Sequence, residues 1–142
     1  MKKIIAATFI SVLLMTAAQA QTLGKKEAQQ LLEKAWRCMV TSDSGAFMNL
    51  WQTDNTASAK QKITEELNFL REFLDTALAR NLTIDNVEVE KHNLKNTDTE
   101  YWIKAWFRYD EHYYKGFGLY VAYKNNQWIV RGSPSTSARR KN

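Results

Sequence analysis

The sequence predicts an α+β domain, with N-terminal helices packed on a mostly antiparallel sheet of four strands or more. Three observations carry this. Apolar residues recur every three to four positions as far as residue 80, they alternate from residue 87 onward, and short polar turns join the alternating stretches. The composition agrees. With 44% hydrophobic and 25% charged residues, five Gly, one Pro and one Cys in 142, the chain is not collagen, low-complexity disorder or a disulfide scaffold. A chain of this length buries roughly two thirds of its unfolded surface, which fits one core and one domain.

Residues 1–20 have the pattern of a secretory signal peptide. Lys2 and Lys3 open it, Ile4 to Met15 are largely apolar, and Ala18-Gln19-Ala20 gives the A-x-A cleavage pattern. The apolar run falls short of the roughly 20 residues needed to span a bilayer. Cleavage after Ala20 and a periplasmic or secreted product are therefore expected, with no membrane span in the mature chain. The formal charge of +5 belongs to the ends. Lys2 and Lys3 lie in the leader, and Arg139, Arg140 and Lys141 in the last four residues, so the basic residues of the body balance the 15 acidic ones. That disfavours a nucleic-acid surface, which concentrates Lys and Arg on a folded face.

The first helix is expected over residues 25–40, on a stripe of Ala28, Leu31, Leu32, Ala35, Trp36, Met39 and Val40. Cys38 lies on it as a half-buried small hydrophobe. Thr41-Ser42-Asp43-Ser44-Gly45 breaks the helix, and Asp43 or Ser44 can cap a short second one carrying Phe47, Leu50 and Trp51. A third is expected from a capping box at Ser58 and Gln61 to about Arg80, with Ile63, Leu67, Leu70, Leu74 and Leu78 inward and Phe69 and Phe73 widening the covered face.

The period then becomes two. Val87 and Val89 mark a first strand, with Asp85-Asn86 either a bulge or its true start. Residues 99–109, 113–124 and 127–132 supply three more. A three-residue loop at Asp110-Glu111-His112 pairs Tyr109 with Tyr113, Ala105 with Phe117 and Ile103 with Leu119. A two-residue turn at Asn125-Asn126 pairs Tyr123 with Trp128 and Val121 with Val130. In this register Tyr101, Ile103, Ala105, Phe107, Phe117, Leu119 and Val121 face one side. Trp102, Lys104, Trp106, Arg108, Gly116, Gly118, Tyr120 and Arg131 face the other. Residues 21–132 form the domain, and the polar, basic stretch 133–142 reads as a disordered tail.

The ending Tyr123-Lys124-Asn125-Asn126-Gln127-Trp128-Ile129-Val130 resembles the closing hairpin of the nuclear transport factor 2-like (NTF2-like) superfamily. The opening helix with Thr41-Ser42-Asp43-Ser44-Gly45-Ala46-Phe47 and Leu50-Trp51 is similar to its opening. The resemblance implies a cone-like domain in which helices pack on a curved sheet and enclose a pocket, in a superfamily whose members often dimerise through the sheet. Its enzymes, among them ketosteroid isomerase, scytalone dehydratase and polyketide cyclases, place Asp, His or Tyr inside the cone. Here the central inward positions hold no carboxylate or His, and Asp43, which matches the opening turn, is sufficiently explained as a helix cap.

The leading expectation is thus a non-enzymatic exported domain that binds a small apolar ligand or a protein partner. Trp36, Trp51, Tyr101, Phe117, Tyr123 and Trp128 would line an aromatic pocket, or else fill it as core. A second reading is a cofactor-free isomerase, dehydratase or hydrolase using His92, His112 or Asp110 with a pocket Tyr. A third is a self-association or partner surface formed by Trp102, Trp106, Arg108, Tyr120 and Arg131, because interfaces concentrate aromatics and Arg. No cofactor and no metal site is predicted, since His92, His112 and Cys38 lack ligand spacing.

Overall fold

The computed structural model describes residues 22–51, 56–92 and 100–142. The expected leader and cleavage site lie outside the described residues. Helix α1 spans Lys25–Thr41 and buries Ala28, Leu32, Ala35, Cys38 and Met39. Val40, expected on the buried stripe, is instead exposed. The helix ends in a Schellman motif. Ser42 takes the left-handed conformation at φ 54°, its N–H donates to Met39 O, and the N–H of Asp43 donates to Cys38 O. Asp43 then turns to a second task, accepting from Ala46 N at 2.9 Å to cap α2, Ser44–Asn49. One polar turn therefore closes one helix and opens the next.

Helix α3 covers Ala57–Phe73 and is capped by Thr56, whose hydroxyl accepts from Ala59 N. The expected capping box at Ser58 is not used, because the extended residue at the helix entry is Thr56 and Ser58 lies already inside the first turn. Nor does the helix run unbroken to Arg80. It changes direction at Leu74 and resumes as α4, Asp75–Ala79. The cause is distant in sequence. Lys115 Nζ reaches the end of α3, donates to Phe73 O at 3.1 Å and lies over the rings of Phe73 and Tyr109. The ammonium takes a carbonyl that a continuing helix would have used, and a cation suits a helix C-terminus. This also accounts for a Lys at an inward strand position. Ile63, Leu67, Leu70 and Leu74 form the buried stripe, but Phe69 is 56% exposed and does not widen it.

Among the described residues four strands form one antiparallel meander in the order β1-β2-β3-β4: β1 Asn86–Lys91, β2 Glu100–Arg108, β3 Tyr113–Lys124 and β4 Gln127–Arg140. Strand β1 starts at Asn86, which settles the choice at Asp85-Asn86. The pairings Tyr101↔Val121, Ile103↔Leu119, Ala105↔Phe117, Val121↔Val130 and Tyr123↔Trp128 are those read from the sequence. Asn125 and Asn126 both have positive φ, as the tight hairpin turn requires. Tyr101, Ile103, Ala105, Phe107, Phe117, Leu119, Val121 and Val130 are buried against α1–α4 and make one core with the helices' apolar stripes.

The expected disordered tail is a correction. Strand β4 continues through Ser133 to Arg140, pairing Ser135 with Gly118, Ser137 with Gly116 and Arg139 with Tyr114. Between Arg131 and Ser135 the strand bulges, with Gly132 at φ +66° and Pro134 inside the irregular stretch, where no ladder donor is needed. The bulge is tied down from the helical side. Val130 N donates to Leu50 O, Trp51 Nε1 donates to Gly132 O at 2.8 Å, and Ser133 Oγ donates to Glu66. Polarity misled the reading of the sequence because β3 supplies the ladder whatever side chains β4 carries. Hydrogen exchange checks this. Amides of residues 135–140 that face β3 should exchange slowly and together, whereas a disordered tail would exchange at unprotected rates.

Strand β3 carries Gly116 beneath the indole of Trp106. A Cβ at Gly116 would run into the carbonyl oxygen of Ala105 and stand 3.0 Å from the Trp106 ring. Gly116→Ala should therefore destabilise the domain by about 1–3 kcal/mol, the range of an overpacked site, read as a lower urea midpoint at unchanged slope.

Candidate functional site

The strand pairings place four rows of side chains across the outer face of the sheet. From β1 to β4 they read Asn86–Trp106–Gly116–Ser137, Glu88–Lys104–Gly118–Ser135, Glu90–Trp102–Tyr120–Arg131 and His92–Glu100–Ala122–Ile129. The first row is sealed. Trp106 lies over Gly116, and Arg139 from β4 lays its guanidinium 4.0 Å from the indole ring. Arg139 then reaches across two strands to pair with Glu88 on β1 at 2.9 Å. Trp106, expected at an interface, is left only 4% exposed, and its Nε1 is buried with no acceptor among the described residues. The residue that covers it belongs to the stretch read from sequence as a tail.

The second and third rows, with Ser137 from the β4 end of the first, frame a groove of about 310 Å³. Glu88 and Glu90 line one side, Ser135 and Ser137 the other, and Trp102, Lys104 and Gly118 lie between. Gly118 makes room for Ser135, whose Oγ lies 2.5 Å from where a Cβ at Gly118 would stand. Trp102 is 37% exposed, and its ring is held from two sides, by Tyr120 at 4.9 Å and edge-on by His92 at 6.1 Å. His92 also meets Tyr120 edge-on at 5.0 Å. Tyr120 donates its hydroxyl to Glu100 Oε2, and Arg131 pairs with Glu100 Oε1 at 3.4 Å. Of the other residues expected at this face, Arg108 and Arg131 are exposed and Tyr120 is half-buried.

The six aromatics expected to line one interior pocket occupy three places. Trp36 packs on Phe107 at 4.4 Å, and Phe107 stacks with Phe117 at 6.2 Å. Trp51 meets Phe47 at 4.7 Å beside the β4 bulge. Tyr101, Tyr123 and Trp128 gather near the closing hairpin, with Trp128 edge-on to both. Tyr101 and Ala105, the partner of Phe117, are four residues apart on β2, or about 13 Å along a strand. A shallow groove of about 310 Å³ runs past Trp128, between Glu27, Gln30, Leu31 and Lys34 of α1 and Gln127.

Of the titratable groups considered for catalysis, His92 stands against Trp102 and Tyr120 on the outer face, while Asp110 and His112 sit elsewhere. Asp110 Oδ1 accepts from His112 N at 2.7 Å, and Lys141 N donates to His112 O, so both residues serve the β2–β3 loop. With Glu111, Tyr113, Arg140 and Lys141 they edge an open groove of about 820 Å³. Cys38 is buried; desolvation, with the Asp43 charge behind it, pushes its thiol up and away from thiolate character. Among the described residues no group of three or more His, Cys, Asp or Glu is placed to hold a metal ion. No helix among them is long and apolar enough to cross a membrane.

Helices come first in the chain, and a curved, unclosed antiparallel meander follows. The fold is α+β, with the helices packed on one face of the sheet. No family model matches the sequence, and no curated protein does. Among solved structures the chain is similar to an NTF2-like transpeptidase from Campylobacter jejuni, at TM-score 0.45 and 12% identity, over 70% of this chain and 93% of that one. It is also similar to the PatG domain of unknown function, at TM-score 0.38 and 15% identity, over 78% of this chain and 49% of that one.

Sequence parity picks out Trp102, Tyr120 and Arg131, but not Glu88, Glu90, Ser135, Ser137 or Arg139. Extending the β2 register back onto β1 finds the two carboxylates, which alternate with Val87 and Val89. The serines and Arg139 need the β4 extension.

Tyr120 offers a local test. Burial, then the hydrogen bond to Glu100 and that carboxylate's charge, push its phenol up to about 12, while Arg131 pulls the other way. The folded state therefore holds this proton after the unfolded chain has released it near pH 10. The stabilisation is complete below pH 10 and is lost as pH rises toward 12. An ultraviolet titration should contain late phenolate steps from Tyr120 and from Tyr109, whose phenol burial also pushes up, and Tyr120→Phe should remove only the first of these.

Proposed function

We propose that this chain is an exported binding domain that works through the outer face of its sheet. The observation that carries this reading is the groove over Gly118. A half-exposed Trp, fixed by its neighbours, stands there between two carboxylates and two serine hydroxyls. Small-molecule sites combine an aromatic surface with a few placed polar groups, and this groove has that make-up. The inward aromatics support the reading from the other side, because they are divided among three clusters within the core. Export rests on the leader-like sequence of residues 1–20.

Fragment mapping by NMR tests the location. Small neutral and charged fragments titrated into ¹⁵N-labelled protein should move the amides of Trp102, Lys104, Gly118 and Ser135 together, and Trp102→Ala should abolish that response while keeping amide dispersion. Shifts centred instead on Leu31, Lys34 and Trp128 would transfer the site to the hairpin groove and end the outer-face reading.

A further inference from the structure

We infer that the groove takes a neutral, polyhydroxylated ring: a saccharide unit stacked on Trp102. This rests on the outer-face reading and adds the class of ligand. The first argument is the platform. An indole face presents flat apolar area with little rotamer freedom to lose, and contacts with Tyr120 and His92 hold Trp102 further. The apolar C–H face of a pyranose matches such a surface.

The second argument is the balance of charge. Arg139 neutralises Glu88, and the charges left in the groove are Glu90 and Lys104, one of each sign. Glu88 is already engaged by Arg139 at 2.9 Å. An anionic ligand would meet Glu90, and a cationic one would meet Lys104. Neither sign gains a net field, whereas hydroxyls can use every group present. Carboxylates accept, an ammonium donates, and Ser135 and Ser137 do both.

The third argument is shape. Walls on β1 and β4 stand three strand spacings apart, about 14 Å between backbones, and their side chains narrow that gap toward the width of a sugar ring. The missing side chain at Gly118 lets the Ser135 hydroxyl lie low on the floor, beneath a ring held between them. A volume of about 310 Å³ lies at the low end of small-molecule sites, as a short saccharide requires.

The experiment titrates cellobiose, N,N′-diacetylchitobiose and maltose into ¹⁵N-labelled protein, with glucose 6-phosphate and glucosamine as charged counterparts. At least one neutral disaccharide should give saturable shifts of the Trp102 indole N–H and the Gly118 amide at millimolar affinity or tighter. Trp102→Ala should weaken it at least tenfold, and Ser137→Ala severalfold, with the rest of the spectrum unchanged. The charged sugars should bind more weakly. Equal or tighter binding of either charged sugar, or no response to any neutral one, overturns the saccharide assignment. If fragments still collect on Trp102 in that case, the outer-face site stands with another ligand class. If they do not, both readings fall.

Discussion

The register between β2 and β3 is the constraint on which the rest depends. With Ile103 opposite Leu119 and Ala105 opposite Phe117, one side of the sheet is aliphatic and aromatic core, and the other carries Trp102, Lys104 and Trp106. A slip by one residue would send Lys104, Trp106 and Arg108 against the helices and expose Ile103 and Phe107. Side chains alternate without exception in these strands, so no intermediate arrangement exists. The three-residue loop at Asp110-Glu111-His112, held by its own Asp110 carboxylate, fixes this register from one end. The positive-φ pair Asn125-Asn126 fixes that of the next hairpin.

Much of this was legible in the sequence, for a physical reason. Register is a matter of parity, and parity can be counted once the turns are placed. The inward set from Tyr101 to Val130, the short capped helix after Asp43 and the closing hairpin all follow from local chemistry. Features set by distant groups were not legible. Nothing near Leu74 in the chain announces that Lys115, some forty residues on, will take the Phe73 carbonyl and stop the helix. The polar run after Ser133 lacks the apolar alternation by which a strand is recognised, yet β3 offers it a ladder. That one misreading propagated to the site: without β4's second half the groove has one wall, and Trp106 has no cover.

The two faces differ in how they are held. The inner face is close-packed apolar area, where burial dominates. Along the outer face, glycines at 116 and 118 let long side chains lie flat, so Arg139 can stack on Trp106 and still reach Glu88. At the next rows Tyr120, Glu100 and Arg131 form a hydrogen-bonded set beside Trp102. An exposed ion pair contributes little to stability by itself. Its effect here is to position groups around the groove.

The Arg139–Glu88 pair joins the earliest strand to the closing residues of the chain. The groove's second wall and the cover over Trp106 both reside in the second half of β4. Loosening that half-strand alone would open the groove and uncover Trp106 while the interior keeps its packing.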